Sequence, residues 1–128
     1  MGNYSKQREK ILYVIEQMNS IPTAEEICIE VKKEDSKISQ STVYRYLNYL
    51  VRNEIMIQIP ILNGPDRYFY NKLNKNYGFT ICNQCGKIQE FVCDFDLSDF
   101  EKNIFKKTGT SIKKKEMLIK GICEDCIL

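Results

Sequence analysis

The chain has 128 residues, 43% hydrophobic and 28% charged, with a formal charge of +2 and no histidine at all. That length fits one domain or two small ones, and no apolar run approaches the roughly 20 residues needed to span a bilayer. A near-neutral balance excludes bulk attraction to phosphate, so any nucleic-acid binding must come from locally placed charge.

The opening stretch "MGNYSKQREKIL" has no apolar signal core, which predicts a cytoplasmic chain with reduced cysteines rather than a disulfide framework. From Lys6 to Met18, the positions of Ile11, Leu12, Ile15 and Met18 follow helical spacing and predict a first amphipathic helix. Thr23-Ala24-Glu25-Glu26 reads as a capping box that opens a second helix from about Ala24 to Lys33, with Ile27, Cys28 and Val31 on one face. After the polar turn "KEDSK", Ser39 caps a third helix from about Gln40 to Asn53, whose buried stripe is Val43, Leu47, Leu50 and Val51.

Two β-prone runs then flank Asn63-Gly64-Pro65-Asp66, a hairpin signal in which Pro60 confines its strand to an edge. Three helices followed by a hairpin is the winged-helix order. A polar stretch, "NKLNKN", separates it from a second half with strands at "FTIC" and "GKIQEF", a helix from Leu97 to Lys107 capped by Asp96, and a long strand from Ser111 to Ile122. The expected fold is therefore α+β, with a winged-helix domain over 1–71, a linker over 72–78 and a small α/β domain over 79–128.

On the third helix, Ser41, Arg45, Asn48 and Arg52 fall opposite the apolar stripe, with Tyr44 at the flank. Arginine and asparagine donate to base edges or phosphates, and tyrosine contacts thymine methyls or phosphates. A solvated face is the plain alternative. The position ahead of a hairpin is where helix-turn-helix proteins carry their recognition helix. Arg8, on the first helix, joins the candidate DNA contacts.

Cys82 and Cys85 form one C-x-x-C pair and Cys123 and Cys126 another. Two intervening residues let both sulfurs of a turn reach one ion, and Gly86 relieves crowding after the second cysteine. Four thiolates with no open position suit a structural Zn²⁺ site. The alternative, a pair of thioredoxin-like dithiols, needs a βαβ setting that this order does not supply. Cys28 reads as a small buried hydrophobe, and Cys93 sits beside Asp94 and Asp96, whose charge raises a thiol pKa rather than activating it. With no histidine for acid–base work and no open position on zinc, an enzyme is the least favoured class.

Taken in order, "SKQREKIL", "TAEEI", "STVYRYLNYLVRNEI", "RYFY", "ICNQCGKIQEF" and "GICEDC" make the chain resemble the ferric uptake regulator family over nearly its whole length. The resemblance implies a homodimeric repressor-type transcription factor on double-stranded operator DNA with an inverted repeat. It also implies a C-terminal dimerisation domain holding one structural zinc per subunit. Tyr44 and Arg45 match the DNA-contacting pair in the motif T-V-Y-R, and Cys82, Cys85, Cys123 and Cys126 match the zinc cysteines. No small-molecule substrate and no membrane partner is expected.

Several residues depart from the family pattern. Metal-responsive members are expected to carry a second, regulatory site between the domains, built mainly from histidines with carboxylates. Here Ile21 stands before the second-helix cap, "NKNYGF" precedes the first cysteine pair, Phe69 follows Arg67 and Tyr68, and Lys115 lies eight residues before Cys123. Glu90 remains, but one carboxylate does not make a site. No regulatory metal site is therefore expected, and DNA binding should not require added Fe²⁺ or Mn²⁺. Two other readings stay open: a thiol switch at Cys93 or the zinc cysteines, and a zinc-ribbon-like adaptor for protein or RNA.

Overall fold

Helical spacing at the N-terminus becomes three helices, α1 (Gly2–Gln17), α2 (Ala24–Glu34) and α3 (Gln40–Arg52). The computed structural model describes residues 2–127, so the outermost residues of the two expected domains, Met1 and Leu128, lie outside the description. Helix α1 starts earlier than its apolar period indicates. Its first turns are held by Tyr4 and Arg8, an i,i+4 pair joined by a 2.8 Å hydrogen bond. The capping box on α2 forms as expected: Glu26 N–H donates to Thr23 Oγ1 at 3.1 Å and Thr23 N–H donates to Glu26 Oε1 at 3.0 Å. That amide, with help from the Thr23 hydroxyl and Arg67, holds the Glu26 carboxyl below its ordinary pKa.

Ser39 caps α3 by accepting from Thr42 N–H. At its other end, Glu54 takes the left-handed conformation, with φ 61°. There Glu54 N–H reaches Val51 O at 3.1 Å and Ile55 N–H reaches Leu50 O at 2.9 Å. This is a Schellman ending, which satisfies two carbonyls that α3 would otherwise leave open. Ile11, Ile27, Val31, Ile38, Val43, Leu47, Leu50 and Met56 fill the core between the helices. Strands β1 (Met56–Ile59) and β2 (Arg67–Tyr70) pair antiparallel as the wing, with Met56 opposite Tyr70 and Ile59 opposite Arg67. Pro60 falls just past β1, where no ladder bond is lost. Tyr68 N–H bonds Pro22 O at 2.8 Å, tying the wing to the segment before α2.

The chain divides into two compact units, one ending at Asn74 and the other starting at Lys75. The second holds β3 (Tyr77–Cys82), β4 (Ile88–Val92), α4 (Ser98–Thr108), β5 (Met117–Gly121) and the single turn α5 (Glu124–Ile127). Its sheet has the order β4-β3-β5, antiparallel between β3 and β4 and parallel between β3 and β5. The fold class is α+β, and no helix among the described residues is long and apolar enough to cross a membrane.

Local expectations change in three places here. Tyr77 and Gly78, expected in the linker, begin β3 and pair with Val92 and Phe91. The strand expected from Ser111 forms only from Met117, because its partner β3 begins at Tyr77 and leaves nothing to pair with the preceding residues. Asp96 is not the formal N-cap of α4, which is Leu97, but its Oδ1 accepts from Ser98 N–H at 3.1 Å and from Ser98 Oγ at 2.8 Å. The helix closes as expected at Gly109, with φ 72°.

Gly78 lies directly under the Phe91 ring: a Cβ added there would sit 2.3 Å from Phe91 Cζ. Gly78→Ala should therefore destabilise the second unit by about 1–3 kcal/mol. Urea unfolding checks this, and Phe91→Leu in the Gly78→Ala background should recover part of the loss.

Candidate metal centre and nucleic-acid face

The parallel pairing of β3 with β5 builds the four-cysteine cluster, the candidate metal centre. Register places Cys82 opposite Gly121, so that Cys123 emerges two residues beyond the same end of the sheet. Each knuckle is then closed by its own turn. Gly86 N–H bonds Cys82 O at 2.9 Å with Gly86 at φ 78°, and Cys126 N–H bonds Cys123 O at 3.0 Å. Asn83 N–H bonds Gly121 O at 2.7 Å and so joins one turn to the other strand.

All four sulfurs of Cys82, Cys85, Cys123 and Cys126 lie within 4.8 Å of one another, and Cys85 Sγ is 3.6 Å from Cys123 Sγ. Tetrahedral bonds of about 2.3 Å put ligand sulfurs about 3.8 Å apart, so the cage fits one ion. The Cys123 and Cys85 amides point at Cys82 Sγ from 3.3 and 3.5 Å and lower its pKa to about 6. Contacts with the Cys123 and Cys85 sulfurs push Cys126 up to about 12. At Cys85 the Lys87 amide pulls downward, but the Cys123 and Cys82 sulfurs outweigh it and leave the thiol raised. Four thiolates repel one another at this spacing, and a divalent cation is what allows all four to be charged. The other two cysteines have different surroundings. Burial raises the pKa of Cys28, and burial also raises that of Cys93 despite the opposing charge of Lys115. Neither has the lowered pKa of a reactive thiol.

On α3 the residues divide as the 3.6-residue period requires. Val43, Leu47 and Leu50 are buried, while Ser41, Tyr44, Arg45, Asn48, Tyr49 and Arg52 are exposed. Three other cations of this unit are engaged: Lys10 with Asp35 at 2.9 Å, Lys33 with Glu30 at 3.1 Å, and Arg67 with Ile21 O at 2.9 Å. By contrast, Arg45, Asn48 and Arg52 have no side-chain hydrogen bond or ion pair with the described residues. Arg8, unlike them, is engaged, against the rings of Tyr4, Tyr46 and Tyr49 at 4.4, 5.1 and 4.8 Å.

The profile of the Ferric uptake regulator family matches residues 2–120. The chain belongs to the ferric uptake regulator family. It is 31% identical over 126 residues to the ferric uptake regulation protein of Campylobacter jejuni, covering 96% of this chain and 78% of that protein. With the peroxide-responsive repressor of Staphylococcus saprophyticus it shares 29% identity over 120 residues, covering 94% and 79%. The structure of the Helicobacter pylori ferric uptake regulator, described as having three functional metal binding sites, superimposes with a TM-score of 0.75 at 27% identity, covering 96% of this chain and 81% of that one.

Members of the ferric uptake regulator family are transcriptional regulators and not enzymes, so this chain is a DNA-binding regulator with a cysteine group able to hold metal. Sequence reasoning overlooked two groups. The tyrosine cage around Arg8 joins residues about forty positions apart, and only its Tyr4–Arg8 half was legible as an i,i+4 pair. Lys115 Nζ donates to Glu101 Oε1, tying the segment before β5 to α4. That partner could not be read from a lysine run that looks merely solvated.

Proposed function

We propose that this chain is a sequence-specific repressor that works in the cytoplasm as a zinc-stabilised homodimer and binds operator DNA without a regulatory metal. The observation that carries the reading is the exposed α3 face. Arg45, Asn48 and Arg52 stand there with no partner among the described residues, a charged and amide-bearing face left open on one side of an otherwise packed helix. Such a face on the helix ahead of a wing fits a major groove. Tyr44, at 39% exposure, adds a ring at its flank.

Zinc is favoured by the donor set, because four thiolates are soft ligands and tetrahedral sulfur coordination is the habit of zinc. Cys82, Cys85, Cys123 and Cys126 would hold it, and it would supply the positive charge that closes the sheet end. Support for a dimer comes from apolar side chains left outside in the second unit. Phe95, Phe100, Phe105, Ile119, Ile122 and Ile127 are between 49% and 70% exposed, more than a solvated monomer surface of this size usually tolerates in one small unit. A two-fold pair presents two α3 helices to two half-sites, hence an inverted repeat.

Loss of metal control is supported by the absence of histidine and by the fate of Lys115, whose ammonium pairs with Glu101. A carboxylate already neutralised by lysine is a poor ligand for a divalent ion.

Selection from a random pool of duplex DNA tests the reading. Zinc-loaded protein should enrich a two-fold symmetric sequence. Failure to enrich any duplex, with retention of RNA or of a protein partner instead, would favour the adaptor.

A further inference from the structure

The Arg8 cage has a geometry of its own. Its guanidinium lies over three tyrosine rings, all within the roughly 6 Å range of a cation–π contact. It donates through Nη2 to Tyr4 Oη at 2.8 Å, while Nε is buried and has no hydrogen-bond partner. An arginine that grips a phosphate offers a fork of two parallel N–H groups. Burial of Nε removes one edge of that fork, so Arg8 is badly disposed to grip DNA itself.

What Arg8 does hold is the side of α3. Tyr46 is buried and stacks on Tyr49, with centroids 6.0 Å apart and planes 17° from parallel. Tyr49 is 39% exposed, four residues after Arg45 and three before Arg52, and so lies on the same flank as both. Tyr46 is the floor, Arg8 the lock and Tyr49 the exposed element. A phenol fixed in advance loses little side-chain entropy on binding, and its hydroxyl is a good donor to a phosphate oxygen.

We propose that Tyr49 is a further DNA-contact residue, reaching the backbone beside the groove, and that Arg8 is its positioning residue rather than a contact. This rests on the reading of α3 as the DNA-binding helix. It also revises the expectation that Arg8 touches DNA.

The test is operator affinity over a range of salt concentrations for the full-length zinc-loaded protein and its Tyr49→Phe, Arg8→Gln, Arg8→Lys and Arg45→Ala variants. Tyr49→Phe keeps the ring and should lower affinity about 3- to 10-fold. Arg8→Lys keeps the charge but loses the planar stacking and should cost a similar factor, with little further loss when added to Tyr49→Phe. Arg8→Gln should weaken binding while leaving the slope of log K against log salt unchanged. A slope shallower by about 1.8 per dimer, about 0.9 for each subunit's Arg8, in Arg8→Gln would make Arg8 a phosphate contact and overturn the assignment. Unchanged affinity in Tyr49→Phe would overturn it as well, and this variant needs no new packing, so its folding is not in question. If the clamp variants behave like wild type while Arg45→Ala is impaired, only the clamp fails. If wild type binds no duplex, the DNA reading falls and the clamp with it.

Discussion

Cys85→Ser is expected to abolish stoichiometric metal binding and to remove cooperative melting of the second unit while the first unit still unfolds as a helical domain. The reason lies in how little else closes that unit. Its buried apolar side chains among the described residues are Tyr77, Phe79 and Cys82, and α4 has none. Strand β5 reaches β3 only after a crossover through α4, so the sheet must be closed against the entropy of a long loop. A structural zinc contributes on the order of 10 kcal/mol of apparent binding energy, which matches the whole stability of a small domain. Serine would offer a poor ligand and leave three sulfurs crowded within 4.8 Å. Circular dichroism melts with metal analysis check this. A metal-free variant that still melts cooperatively in both units would refute it.

Arg45→Ala should weaken operator binding by about 1–3 kcal/mol, roughly 5- to 150-fold, with no loss of fold stability. The side chain is exposed and unpaired in the structure, so truncating it breaks nothing within the protein. Its neighbours Ser41 and Asn48 offer fewer donors and no charge, and their alanine variants should fall short of that effect. Arg52 lies two turns along the same face, where a phosphate contact would show as a shallower salt dependence. A gel shift with the selected operator measures all four. Equal affinity for Arg45→Ala and wild type would remove α3 as the reading element.

Local chemistry explains what was legible in the sequence. Thr23 and Glu26 announce a helix start because their capping bonds lie within three residues, and Val43, Leu47 and Leu50 announce a buried face through their spacing. Likewise the four cysteines identify themselves by type and interval. Pairing partners were what the sequence hid. Tyr77 looked like linker until Val92 stood opposite it, and the lysines from Lys113 to Lys115 looked like strand because the start of β3 could not be known to limit them. Short α5 also went unforeseen, since a single turn has no period to read. Similarly, Arg8 was expected among the DNA contacts, and only the folded position of Tyr46 and Tyr49 reveals what surrounds it.

A chain without histidine should bind its operator independently of added metal, and one titration tests this directly. Zinc-loaded protein is mixed with its selected operator, first after removal of adventitious metal and then with added Fe²⁺ or Mn²⁺ under reducing conditions. The same affinity is expected in every arm. Binding that appears only when iron or manganese is added would contradict it.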